Sequence, residues 1–459
     1  MNSKLSWQEK LSQDLLPGVF TRHLTVVFVA ALLLRVLLAL PALNQPESLL
    51  RPDSMGYWNP ALALANGDGF VDKVGSVTPE MVRTIGYPAW LALIIRCCGN
   101  SLLAAALSGI VLSASVVFPL SWAIKTVSGE RLALIGAWLY AFNITAIAVS
   151  PLILADTLLG LLAAWQLLFA VIYIRKKSSA AFGMLTVIAV VGTLVKPVNL
   201  PVVLVGLPVI LLTGVRSWSM FFKTVMIYLI VVGGLLVPFW VKNHKLCGDF
   251  EGNTANIYFH NGSALMARAA GGSSEQWRQE LLNKAEAEFA AHPEQYPTIK
   301  ARNQWKKAQF IAMVKQYPVD ALIVHLPNPF NLLPDVPGIL ENNHITSSGR
   351  GTMSVLRQYG FFAAVKHYLD GKYYLLGWML PLVLIYAFTL LLAGYRLVMY
   401  LINWQWRWLL LFGVLVFYYI WAPGPVISPR YLLPGWPMII FMAVHFKKIS
   451  KSNNLVKDV

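Results

Sequence analysis

"LTVVFVAALLLRVLLALPA" (residues 24–42) is a predominantly apolar run of membrane-spanning length, and "RPDSMGYW" (residues 51–58) follows it closely. Spanning the hydrocarbon core as a helix takes about 20 residues, more than the apolar stretch of a signal peptide. No small-residue cleavage site follows the run, and Lys4, Lys10 and Arg22 precede it. It therefore reads as an uncleaved anchor with its N-terminal side in the cytoplasm. Comparable runs recur along most of the 459 residues, of which 57% are hydrophobic and 13% charged. Soluble domains carry about 25% charged residues. The chain reads as an all-α polytopic membrane protein.

The net charge of +16 does not indicate a nucleic-acid partner. Its bases fall in short clusters between apolar runs: "RKKSS" (175–179), "VRSW" (215–218) and "HFKKISKS" (445–452). Short loops rich in Lys and Arg stay cytoplasmic, which orients the chain. Cys97, Cys98 and Cys247 have neither disulfide-framework nor zinc-ligand spacing. His260, His325 and His344 likewise show no ligand spacing and read as loop polar groups.

With the basic clusters inside, spans are expected near 24–42, 101–123, 131–149, 152–174, 180–195, 198–214, 220–241, 375–397, 407–422 and 431–446, with both termini cytoplasmic. Three regions result: a transmembrane module over 1–241 with an outer loop at 43–100, a long outer loop at 242–374, and C-terminal spans with a short tail over 375–459. "GYPAWLALIIRCCG" (86–99) is too short to span and reads as an interfacial helix. The long loop holds 14 Lys/Arg and 11 Asp/Glu, and loops of that length cross largely regardless of charge. Its segments "SSEQWRQELLNKAEAEFAAH" (273–292) and "NQWKKAQFIAMVKQYP" (303–318) have helical composition, the first opened by a serine cap signal. "VDALIVHLPNPFNLLP" (319–334) reads as returning to the bilayer surface.

This topology gathers Asp53, Arg83, Asp156, Lys196 and Arg430, from five separate places, at the outer membrane face. Each has an ordinary structural reading. Asp53 and Asp156 could cap helix N-termini, Lys196 and Arg430 could snorkel to headgroups, and Arg83 could pair with a lipid phosphate. Together, two carboxylates and three cations could also bind a phosphorylated lipid and activate a hydroxyl. A carboxylate serves as general base, and Lys and Arg hold a phosphate through charge-assisted hydrogen bonds.

Several words in the sequence carry a family resemblance. "PDSMGYW", "ALALANGDGF" (61–70) and "RTIGYPAWLALI" (83–94) resemble the first outer loop of bacterial C-type membrane glycosyltransferases. That superfamily includes the protein O-mannosyltransferases and the lipid A aminoarabinose transferase. "SPLILADTLLG" (150–160) is similar to its fourth-span acidic motif, more often written with Glu, and "LVKP" (194–197) to a word that usually carries Arg. "PFWVKNHKLCGDF" (238–250) resembles the end of the seventh span, where Arg-Asn is commoner, and "SPRYLLPGWP" (428–437) the closing word.

The resemblance implies a GT-C type bundle of about 10–12 helices, with short helices in its extracytoplasmic loops, in a bacterial inner membrane. It implies transfer of one sugar from a polyprenyl (undecaprenyl) phosphate donor to an extracytoplasmic acceptor such as lipid A, a cell-surface glycan or a protein. Asp53 is then the general base, with Asp156 the second acidic position. Arg83, Lys196 and Arg430 hold the donor phosphate, and Tyr57, Tyr87 and Asn243 contact substrate. Membrane lipids are further partners. No metal-ligand motif is present, and a divalent cation held by a carboxylate pair is the one cofactor left open. A lipid-linked glycan flippase or transporter is the competing class. It favours charges near the bilayer midplane and paired internal repeats, and neither is evident.

Overall fold

A computed structural model describes residues 18–215, 217–248, 257–327, 329–345, 352–369, 373–426 and 428–445. Lys4 and Lys10, Arg216, and the basic cluster beyond His445 lie outside the described residues, as do both termini. Among the described residues the chain is helical, with one isolated β-bridge between Val71 and Pro79.

Six helices are long and apolar enough to cross a membrane: α1 (Val19–Leu37), α4 (Leu102–Ser128), α7 (Asp156–Lys176), α9 (Pro197–Gly214), α10 (Trp218–Leu235) and the Met379–Ile402 part of α15 (Tyr374–Ile402). Shorter apolar helices are α3 (Gly86–Cys98), α8 (Ser179–Val195) and α16 (Trp406–Trp421). The fold is that of an all-α, multi-pass membrane protein. Two expected spans are broken rather than continuous. Residues 131–149 divide into α5 (Glu130–Ala141) and α6 (Ile144–Val149), because the Asn143 side chain caps α6 by accepting from the Ala146 N–H at 2.8 Å. Residues 431–446 divide into a 3-10 turn (Pro429–Gly435) and α17 (Trp436–Val444).

α7 is the centre of the bundle, packing against α4, α8, the 429–435 turn and α17. Apolar residues line it on every side, as a buried helix requires. Asp156 lies in its first turn, and Arg175 and Lys176 in its last, so both ends complement the helix dipole. α10 is the opposite case. It is just as apolar, yet only Thr224 is buried, so its surface faces lipid.

Arg35, in the middle of the first apolar run, is fully buried. Its guanidinium donates to Ser113 Oγ at 2.9 Å and to the carbonyls of Ala31, Ala141 and Tyr140 at 3.0, 3.2 and 3.4 Å. Two of those carbonyls close the C-terminal turn of α5, where a helix presents unpaired acceptors and negative charge.

The long loop has a small core of its own. α13 (Ser274–Ala291) starts at a capping box in which Ser273 and Gln276 exchange hydrogen bonds. It packs Leu281 and Ala285 around Tyr258, beside Trp305 of α14 (Ile299–Gln316). In the helix Pro318–Val324 and just past it, Val319, Leu322 and Leu326 are exposed, an apolar surface suited to the bilayer.

Candidate active site

Prolines deliver most of the charged side chains to one place. Pro197 disfavours helical backbone at the residue before it, so α8 stops and Lys196 turns extended (φ −152°, ψ 119°). Pro429 does the same to Ser428 and opens the short turn that carries Arg430. Pro52 stands before Asp53 on the turn that leads into α2 (Met55–Asn66). Arg83 belongs to the irregular segment between α2 and α3. The Glu80 carboxylate beneath it accepts the backbone N–H groups of Val82 and Arg83 at 2.6 and 2.8 Å. Burial raises the Glu80 pKa despite these bonds.

These residues meet in one cavity of about 600 Å³, whose wall includes Asp53, Tyr57, Arg83, Asp156, Lys196 and Arg430. Asp53 accepts from Arg83 Nη2 on one carboxylate oxygen and from Arg430 Nη2 on the other, each at 2.9 Å. It is not the cap of α2, since both oxygens are engaged by arginines and the helix has no side-chain cap. Burial opposes its ionisation, but the two guanidiniums outweigh that and hold the carboxyl below the usual carboxylate range. Asp156 accepts from Lys196 Nζ at 2.7 Å. The two carboxylates differ in access, with side-chain exposures of 41% for Asp53 and 4% for Asp156.

Aromatic faces position the cations. Arg83 lies over Tyr57, 4.6 Å from the ring centre. Lys196 and Arg430 share Tyr431 at 5.0 and 5.1 Å. Gly56 leaves room for this packing, because a Cβ there would stand 3.0 Å from Arg83 Nε. Tyr87 packs edge-on behind Tyr57 at 5.2 Å and does not line the cavity. Asn243 is buried in the helix Val237–Cys247, also away from the cavity wall.

The structure also brings in residues that the sequence reading passed over. Tyr419 and Tyr431 line the cavity, as do His260, Asn261 and Arg278 of the long loop. His260 had read as a loop polar group. Here burial and the neighbouring Arg278 lower its pKa. The signal for Tyr431 was in the "RYLLP" word. Nothing local marks Arg278, which lies on an exposed helix face and pairs with Glu275 at 2.7 Å.

The arrangement suits an anion. Arg83, Lys196, Arg278 and Arg430 stand against two carboxylates. The fit to a divalent cation is poor: both carboxylates are already bonded to cations, and no group of three His, Cys, Asp or Glu gathers among the described residues.

No protein-family model matches the chain, and no curated protein matches it. Among solved structures the chain is similar to the crystal structure of ArnT from Cupriavidus metallidurans in the apo state. The likeness covers 92% of this chain and 77% of that one, at 15% sequence identity and a TM-score of 0.37.

Proposed function

We propose that the protein is an integral membrane glycosyltransferase. On this reading it moves one sugar from a polyprenyl-phosphate donor to a hydroxyl-bearing acceptor at the extracytoplasmic face of a bacterial inner membrane. The observation that carries the proposal is the meeting of Asp53, Arg83, Asp156, Lys196 and Arg430 in a single cavity. Its size and mixed charge suit a sugar attached to a phosphate, and the words of the outer loop and of the 428–437 segment resemble those of C-type glycosyltransferases.

The chemistry is a single displacement with inversion. The acceptor oxygen attacks the anomeric carbon and forms the new C–O bond as the bond from that carbon to the phosphate oxygen breaks. Asp53, the more accessible carboxylate, takes the acceptor's proton. The electron pair of the breaking bond leaves on polyprenyl phosphate, whose charge Arg83 and Arg430 stabilise. Lys196 stays paired with Asp156 in the cavity wall.

The test is sugar release from a panel of polyprenyl-phosphate sugars by the purified protein. Wild type should turn over one donor, and Asp53→Asn should lower the rate by about 10²- to 10⁴-fold, the usual share of a general base. Arg83→Ala should raise donor KM as well. Turnover unaffected by Asp53→Asn removes the base. No turnover, together with lipid-linked glycans stranded on one leaflet of cells lacking the protein, assigns it to the flippases.

A further inference from the structure

Asp53 occupies the seat that a donor phosphate needs. Its two oxygens take one Nη2 from each of Arg83 and Arg430. The two non-bridging oxygens of a phosphodiester make the same demand, a paired anion facing two guanidinium edges. A carboxylate held in this way is also a weak base, because the charge-assisted bonds that stabilise it must be given up before it takes a proton.

The surroundings decide which partner moves. Arg83 rests on Tyr57 and against Gly56, and Arg430 rests on Tyr431. Each arginine side chain is 20% exposed, and Arg83 Nε is buried with no hydrogen-bond partner. Asp53, at 41%, is the exposed member of the trio, on the short turn before α2. The guanidiniums are shelved on aromatic rings, and the carboxylate is the member that faces the open side of the cavity, with room to rotate away about its side-chain torsions. The titratable and charged groups facing Asp53 are Arg83, Tyr57, Arg430 and His260, while Lys196 and Asp156 are engaged with each other.

We infer that a phosphate monoanion and the Asp53 carboxylate compete for Arg83 and Arg430, so that loading of the donor releases Asp53 to act as base. This deepens the glycosyltransferase reading and rests on it. It sets an order, donor before acceptor, and keeps the empty site from holding an active base.

The experiment is calorimetric binding of methyl farnesyl phosphodiester, a monoanion across the working pH range, to the full chain in detergent. Asp53→Asn should bind it about tenfold more tightly than wild type, the scale of one charge-assisted hydrogen bond. Glu130→Gln removes an exposed carboxylate that pairs with Lys125, neither of which belongs to the cavity wall. It should stay within about twofold of wild type, as expected for an exposed, screened charge. Adding Arg430→Gln to Asp53→Asn should cancel the gain. Should the variant fail to fold, a second measurement uses His260→Gln, which removes the other group in the wall that gains a proton on acidification: its affinity should rise as pH falls toward the titration of Asp53, and an affinity that stays flat there overturns the competition. Equal or weaker binding by folded Asp53→Asn overturns the competition and leaves the donor reading standing. Absence of binding in wild type and Asp53→Asn alike overturns both the competition and the phosphate seat, and sugar release from the donor panel then decides the proposed function separately.

Discussion

Lys196 Nζ donates to Asp156 Oδ1 at 2.7 Å, tying the residue that ends α8 to the first turn of α7 where both face the cavity. The pair is mostly shielded from water, so removing one partner strands a charge. Lys196→Met should therefore cost about 3 kcal/mol or more of stability, as measured for broken buried pairs, and the double variant Lys196→Met/Asp156→Leu should recover much of it. Thermal unfolding in detergent reads both. A single variant as stable as wild type would mean that the pair contributes no net attraction.

α3 approaches the end of α8 backbone to backbone. A Cβ built on Gly86 would lie 2.7 Å from Leu194 C and O and from Val195 N, atoms that have no rotamer to change. Gly86→Ala should push α3 away and cost about 1–3 kcal/mol, the range for overpacking. It should also disturb Lys196, the next residue along. A lowered melting midpoint with reduced sugar release is expected, and an unchanged midpoint would mean that the two helices separate freely.

Part of the cavity wall was legible because four of its ionisable members stand at boundaries of apolar runs. Asp53, Asp156, Lys196 and Arg430 stand beside or shortly after a proline, and the basic clusters place those boundaries on one side. Their pairing was not legible. Asp53 and Arg430 are 377 residues apart, and nothing local selects Arg430 rather than Lys196 as its partner. Arg278 was invisible because an arginine on an amphipathic helix ordinarily faces solvent. Tyr87 shares a word with Arg83, yet helix α3 turns it behind Tyr57. The breaks at Asn143 and at the 429–435 turn escaped notice because composition reports hydropathy and not capping.

Arg35 gives a third prediction. A single arginine in the apolar core of the 19-residue helix leaves the span legible and its own role hidden. Arg35→Met should leave the Ala141 carbonyl without its donor, at about 1–3 kcal/mol for a buried group orphaned, while the Tyr140 carbonyl keeps the Asn143 N–H and Ser113 Oγ keeps its bond to the Ala146 carbonyl. Arg35→Lys restores the charge but not the fork, so it should rescue only part of the loss. Unfolding midpoints of the two variants measure this, and equal midpoints would show that charge alone matters.

The last prediction concerns acid. Asp53 is held ionised by Arg83 and Arg430, against the cost of burial, so its folded-state pKa lies below the unfolded value of about 4. A depressed carboxyl contributes stability above the unfolded pKa and loses it as pH falls through the folded one. The stability gap between wild type and Asp53→Asn should therefore be constant near neutrality and close as pH drops below about 4. His260 faces Asp53 and feels its charge, so both proteins are compared in a His260→Gln background, which removes that titration from the difference. Because the Asp53 side chain is 41% exposed, added salt should narrow the gap by screening. Unfolding midpoints of the two proteins across pH and salt test this directly: a gap that persists undiminished well below the carboxylate range would mean that the ion pairs are not what separates them.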